Sequence, residues 1–380
     1  MAIFCVTKRR ARCIVLDMEQ TSRLAARDIN SRAESHASTE IPVKTGNPVL
    51  DANLYDLSRR FCGEHDPDIV LQMLATVMNA AQSNLEGHDL DIMNSTLDEM
   101  YNAEKLFLPY RDIRKVTCFG SARIPAGDPQ YKLAHDFAKL CADNGFMVIT
   151  GGGPGIMQAC NEGATGERSF GLNITLPYEQ EANPAIKDSG HLMSFLYFFT
   201  RKLNLIKQSD ALVAFPGGFG TMDEIYECIT LIQTGKSTIF PIVLLDTPEE
   251  TFWRRWAHFV ITELEDAGLI SKEDKCLLHH STSAEEAYQH IAHFYSRFHS
   301  YYYDGPQIVI RMNSMLSDDN LDWCRHDFAD IIEKSDLAQQ ANDPADPDPL
   351  LGCLPRVRFT FAMRNFARLR QMIDQINDAV

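Results

Sequence analysis

The chain has 380 residues, and 36 basic against 52 acidic side chains give it a net charge of −16. So acidic a chain excludes a broad basic face for a nucleic-acid polymer, though a local basic pocket for one phosphate remains open. With 45% hydrophobic and 23% charged residues it has the composition of an ordinary globular protein, long enough to bury a sizeable core.

At the N-terminus the short apolar run Met1–Val6 precedes Lys8, Arg9 and Arg10, the reverse of a secretory signal. No apolar stretch approaches the ~20 residues a membrane span needs. A cytoplasmic protein without membrane attachment is expected. The ten cysteines include no C-x-x-C pair and no finger-like His spacing, which predicts buried free thiols in a reducing compartment.

Residues 1–47 carry no persistent period and read as a poorly ordered lead-in. Residues 48–113 form a helical extension of two or three helices. Leu50, Leu54, Leu57 and Phe61 recur at helical spacing, then Ile69, Leu71, Leu74, Val77 and Met78, then Met93, Leu97, Met100 and Leu106.

From residue 114 to 300 short apolar runs alternate with helical segments. The strand-like runs are Lys115–Gly120, Phe146–Gly151, Gly171–Leu176, Ala211–Phe215 and Ile239–Leu245. Helical segments are expected over 129–144, 155–165, 191–208 and 221–234, with further helices through 249–300. Such alternation predicts an α/β fold, a Rossmann-like doubly wound parallel sheet. Ligands in such sheets lie beyond the carboxyl ends of the strands. Phe252, Trp253 and Trp256 read as a packing face. Residues 301–380 read as a small α/β extension, with strands at Gln307–Arg311 and Arg356–Phe361, each followed by a helix, and an Asp/Pro-rich loop at 342–349.

Two turns carry the chemistry. Gly151-Gly152-Gly153-Pro154-Gly155 follows one strand and opens a helix at Ile156-Met157. Glycines admit an anion close to the backbone, and a helix N-terminus presents unpaired N–H groups and partial positive charge. Pro216-Gly217-Gly218-Phe219-Gly220-Thr221-Met222-Asp223-Glu224 repeats that layout after a second strand. Candidate phosphate-binding residues are Gly152, Gly153, Gly155, Gly218, Gly220 and Thr221. Thr221 is also expected to cap its helix, with Thr-x-x-Glu as a capping box to Glu224. Glu227 either lines the same cleft or belongs to a solvated face. Arg201 and Lys202 lie beside the apolar run Phe195–Phe199, where an arginine pairs with an acid or phosphate, or is an ordinary surface cation. Ser121, in the turn after the first strand, is a further candidate contact, as is Met157.

Together these residues resemble the Lonely Guy family, whose members release the base from cytokinin riboside 5′-monophosphates. The resemblance rests on Gly151–Met157, Pro216–Glu224 and the Arg201-Lys202 pair upstream of the second turn, and it covers roughly residues 114–300. It implies a phosphoribohydrolase that cleaves the N-glycosidic bond of a purine nucleoside 5′-monophosphate, cytokinin-type or AMP. Arg201 and Glu224 would be catalytic, and the glycines of both turns, with Thr221, would hold the 5′-phosphate; Lys202, Glu227, Ser121 and Met157 are the further candidate substrate contacts. It implies no metal or cofactor, and a homo-oligomer, dimeric or larger. The family has often been labelled lysine decarboxylase, yet no lysine here sits in a recognisable pyridoxal setting. The alternative is a non-catalytic nucleotide sensor, or a carrier of a phosphorylated cofactor, on the same fold. Such a protein needs the glycine turns but not Glu224, and residues 48–110 and 304–380 would then serve regulation or assembly.

Overall fold

The computed structural model describes residues 45–63, 65–176 and 181–379. The expected lead-in at 1–47 lies almost wholly outside the described residues.

The chain divides into two compact units, with the division between Tyr101 and Asn102. Helices α1 (Pro48–Phe61) and α2 (Pro67–Gln82) and most of α3 (Gly87–Phe107) make up the first. Asn47 and Asp66 cap α1 and α2 through side-chain oxygens, each followed by proline in the first turn. Leu54, Leu71 and Ala75 form a small core.

The second unit holds β1 (Lys115–Phe119), α4 (Pro129–Asp143), β2 (Met147–Thr150), α5 (Ile156–Ala164), β3 (Ser169–Ile174), β4 (Leu192–Phe195) and α6 (Phe198–Lys207). It continues with β5 (Ala211–Ala214), α7 (Phe219–Gln233), β6 (Ile242–Leu245), α8 (Phe252–Asp266), β7 (Leu278–Ser281) and α9 (Ala284–Phe294). Seven strands pair in the order β4-β3-β2-β1-β5-β6-β7, all parallel. Both faces are covered, so alternate strand residues enter opposite cores. Leu212 and Ala214 face one, Ala211 and Val213 the other; Ile242 and Leu244 divide from Val243 and Leu245 in the same way. This is the doubly wound Rossmann-like sheet. Strand order reverses between β1 and β5, which opens the ligand crevice there.

The remaining elements are β8 (Phe298–Asp304), β9 (Gln307–Met312), α10 (Asp318–Asp327), β10 (Ala338–Gln340), β11 (Arg356–Thr360) and α11 (Phe366–Asp378). They build an antiparallel four-stranded sheet, β10-β11-β9-β8. Its apolar residues, among them Ile308, Ile310, Val357 and Phe359, join Leu212 and Leu244 of the main sheet and Ile225 of α7 in one core. A Cβ on Gly235, just past the end of α7 with φ +70°, would lie 2.0 Å from Cζ of Phe366 on α11.

Three expectations are corrected. Leu192–Phe195 is a strand, not the start of a helix. Leu278–Ser281 and Phe298–Asp304 are strands within the stretch read as helical. They are short and rich in His and Tyr, so neither shows a clean two-residue period. The expected packing role of the tryptophan cluster holds: Trp253 is fully buried, and Phe252 and Trp256 pack against the core. Among the described residues the cysteines are unpaired, five of them buried. No helix among the described residues is long and apolar enough to cross a membrane.

Candidate functional site

β2, β1 and β5 are neighbours in the sheet, so the turns that follow them open side by side on one edge. They are also bonded to one another. Ser121 N–H donates to the Pro216 carbonyl, and the Ser121 carbonyl accepts from Ile156 N–H, both at 3.1 Å. Ser121 Oγ accepts from Arg123 N–H. Ser121 is thus a hinge point of both glycine turns.

In the first turn, Gly155 is the N-cap of α5 with φ +69° and ψ −131°. A Cβ there would lie 2.7 Å from the Ala122 carbonyl carbon. Both backbone angle and crowding demand glycine. The amides divide by use. Gly152 N–H donates to Thr150 Oγ1 at 2.9 Å, and Ile156 N–H is taken by Ser121. Among the described residues nothing accepts from the N–H groups of Gly153 and Gly155. Gly152 therefore shapes the cradle and offers no donor, against the expectation that it grips the phosphate.

The second turn corrects the capping expectation. Gly218 is the N-cap of α7, and no side chain caps it. Thr221 is the third helical residue, so Thr221 and Glu224 do not form a capping box. The hydroxyl of Thr221 instead fills the space where a Gly217 side chain would stand. The first-turn N–H groups of Phe219, Gly220 and Thr221 point out of the helix end without acceptors among the described residues, beside the N-cap Gly218.

Arg201 and Lys202 sit on α6, and their neighbouring positions send them different ways. Arg201 Nε donates to the Leu172 carbonyl of β3 at 2.6 Å. Its guanidinium lies over Gly151 beside Met157 Sδ, which a Gly151 Cβ would approach to 2.7 Å. Gly151 is glycine because Arg201 and Met157 occupy its side-chain space. Burial lowers the Arg201 pKa, opposed by the charge of Glu224. Lys202 bridges Asp223 at 2.6 Å and Glu227 at 2.7 Å. Glu227 is thereby an ion-pair partner, partly exposed.

Glu224 is buried at 6% exposure, and its Oε2 has no hydrogen-bond partner among the described residues. Burial pushes its pKa up to about 7, with Lys202 and Arg201 pulling it down and Asp223 and Glu227 pushing it up. A buried carboxylate oxygen without a partner is costly to keep, and such groups concentrate at functional sites.

Reading the sequence missed Asn183. Its side chain donates to the carbonyls of Gly152 and Gly153 at 3.1 and 3.0 Å. The dipeptide Asn183-Pro184 marks a turn, but nothing local says that the turn folds onto residues thirty positions earlier.

Fold and site define a class: a Rossmann-like α/β protein whose paired glycine turns lie near a half-buried arginine and a buried glutamate at the switch point of its sheet. Comparison with known proteins narrows this. The family model described as possible lysine decarboxylase matches residues 157–291. The chain belongs to this family, the Lonely Guy family, and curated relatives that match it are named cytokinin riboside 5′-monophosphate phosphoribohydrolases.

Phosphoribohydrolase LOG2 of Arabidopsis thaliana is 28% identical over 167 residues, 43% of this chain and 73% of that protein. An uncharacterised protein of Archaeoglobus fulgidus is 30% identical over 131 residues, 32% of this chain and 81% of its own length. Among solved structures, a molybdenum cofactor carrier protein from Chlamydomonas reinhardtii aligns at 22% identity and TM-score 0.33, over 47% of this chain and 96% of its own.

Proposed function

We propose that the protein hydrolyses the N-glycosidic bond of a purine nucleoside 5′-monophosphate, releasing free base and ribose 5-phosphate. The observation that carries this reading is Glu224: a buried carboxylate with an unpartnered oxygen and a pKa about 7, in the helix that the second glycine turn opens.

The amides of Gly153, Gly155, Gly218, Gly220 and Thr221 hold the 5′-phosphate, helped by the positive ends of α5 and α7. The grip supplies binding energy remote from the reacting carbon. The C1′–N bond breaks with its electron pair leaving on the base, which takes up a proton. C1′ becomes oxocarbenium-like and is captured by water. Ionised Glu224 stabilises that cation and accepts the water proton. Arg201 orients the ligand beside Glu224. Lys202 tempers the carboxylate's pKa, while Asp223 and Glu227 keep Lys202 in place. The step uses water as its only co-reactant.

The exposed residues Leu196, Phe198, Phe199 and Phe219 flank this site. An apolar rim of this kind suits a homo-oligomer that covers it.

The test is chromatographic. Purified protein is incubated with AMP and with isopentenyladenosine 5′-monophosphate, and free base is measured. Preference for the isopentenylated nucleotide makes it a cytokinin-activating enzyme; preference for AMP makes it a general nucleosidase. Tight nucleotide binding without release from either would overturn the reading in favour of a sensor or carrier.

A further inference from the structure

Asn183 is buried at 3% exposure, yet it lies in the irregular segment between β3 and β4, outside any helix or strand. Its bonds run to one place. Its backbone N–H donates to the Gly152 carbonyl at 2.8 Å. Its side-chain amide donates to the carbonyls of Gly152 and Gly153 and to Asn161 Oδ1 at 2.9 Å. Its own Oδ1 accepts from Ala185 N–H, which fixes which end of the amide faces the turn. Asn161 Oδ1 also accepts from Thr150 Oγ1, and Thr150 Oγ1 accepts from Gly152 N–H. Three side chains from β2, α5 and the β3–β4 segment thus close a buried network around the triple-glycine turn.

The consequence follows from peptide geometry. In a trans peptide the carbonyl and the next N–H point opposite ways. Holding the Gly152 carbonyl toward Asn183 turns the Gly153 N–H away from it, toward the crevice. Holding the Gly153 carbonyl the same way sets the plane from which Pro154 and Gly155 continue. Glycine has no side chain to bias these planes, so without an outside anchor the turn would sample many of them.

We propose that Asn183, with Thr150 and Asn161 behind it, is the positioning residue of the phosphate cradle, presetting the Gly153 and Gly155 amides for a phosphate monoester. This rests on the nucleotide reading above and adds to it which residue organises the grip.

The experiment compares wild type with Asn183→Asp and Asn183→Ala. Calorimetry with inorganic phosphate gives Kd, nucleotide turnover gives KM and kcat, and thermal unfolding gives Tm. Asn183→Asp keeps the shape but turns carboxylate lone pairs onto two carbonyl oxygens. Its Kd for phosphate and its KM should rise about 10- to 100-fold, since an ångström of misplacement has that effect. Because Arg201 and Glu224 stay in place, kcat should fall less than about threefold. Asn183→Ala keeps the backbone bond to Gly152 and should lie between; it carries the test if Asn183→Asp does not fold. A lower Tm with phosphate Kd and KM within about twofold of wild type would mean a merely structural role and overturn the proposal. If wild type itself binds neither phosphate nor nucleotide, the proposed function fails first, and this inference with it.

Discussion

Glu224 and Gly151 show how single residues set the chemistry. A carboxylate raised from 4.5 to about 7 is half charged near neutrality. If its ionised form is the working one, kcat/KM should climb with pH along a limb centred near that value. Glu224→Gln should remove the limb and lower kcat by about a thousandfold, as loss of a group that both stabilises charge and takes a proton does. The stability sign runs the other way. The folded protein holds this proton more tightly than the unfolded chain, so stability falls as pH rises from about 4.5 to 7. Urea unfolding at pH 8 should find Glu224→Gln more stable than wild type, by on the order of 1–3 kcal/mol. Equal stability would mean that the buried charge is compensated.

Gly151→Ala tests the Arg201 seat. The new methyl group must displace the guanidinium and Met157 Sδ. We expect activity to fall about a hundredfold, with at most about 1–2 kcal/mol lost in unfolding. Wild-type turnover would mean that Arg201 need not sit there.

Among the elements, the Asp/Pro-rich loop at 342–349 is fastened by the neighbouring strands β9 and β11. Arg311 of β9 pairs with Asp346 at 2.6 Å and Arg356 of β11 at 2.5 Å, with all three side chains fully buried. Arg356 also donates to the carbonyls of Leu351, Gly352 and Leu354, so the loop closes over both cations. Burial raises the Asp346 pKa, but the bonds from Arg311, Asp348 N–H and Arg356 outweigh it and hold it below the usual value. Asp346→Ala leaves two buried cations without their shared partner and should destabilise by about 3–5 kcal/mol. A depressed pKa gives stability that is present above the unfolded value near 4 and lost as pH falls through the folded one. Acid unfolding of wild type should therefore include a contribution below about pH 4 that Asp346→Ala lacks.

For the molecule as a whole, the C-terminal sheet and α11 are part of the main core. Phe366 stacks over Gly235 of the α7 end, and Leu369, Met372, Ile373 and Ile376 of α11 are buried with it. Phe366→Ala should cost about 3–5 kcal/mol in unfolding measurements. Truncation before Phe298 should give an aggregating chain with no cooperative transition, because it bares the apolar face of the main sheet. A soluble, cooperatively folding fragment of residues 102–297 would show instead that the tail is a separable layer.

The alternation of strands and helices and the two glycine turns were determined by the sequence alone. They depend on neighbours within a few residues: apolar period, glycine freedom and the break before a helix. Lys115–Phe119 and Ala211–Ala214 could be read from their own side chains. The short strands at Leu278–Ser281 and Phe298–Asp304 could not, because pairing partners and a shared core, not local pattern, make them strands. The tertiary structure alone decided that Gly218 and not Thr221 begins α7, that Arg201 turns inward while Lys202 pairs outward, that Asn183 anchors the glycine turn, and that burial lifts the Glu224 pKa to about 7. Each of these is a sum of desolvation and contacts over residues far apart in the chain, and such sums exist only once the chain is folded.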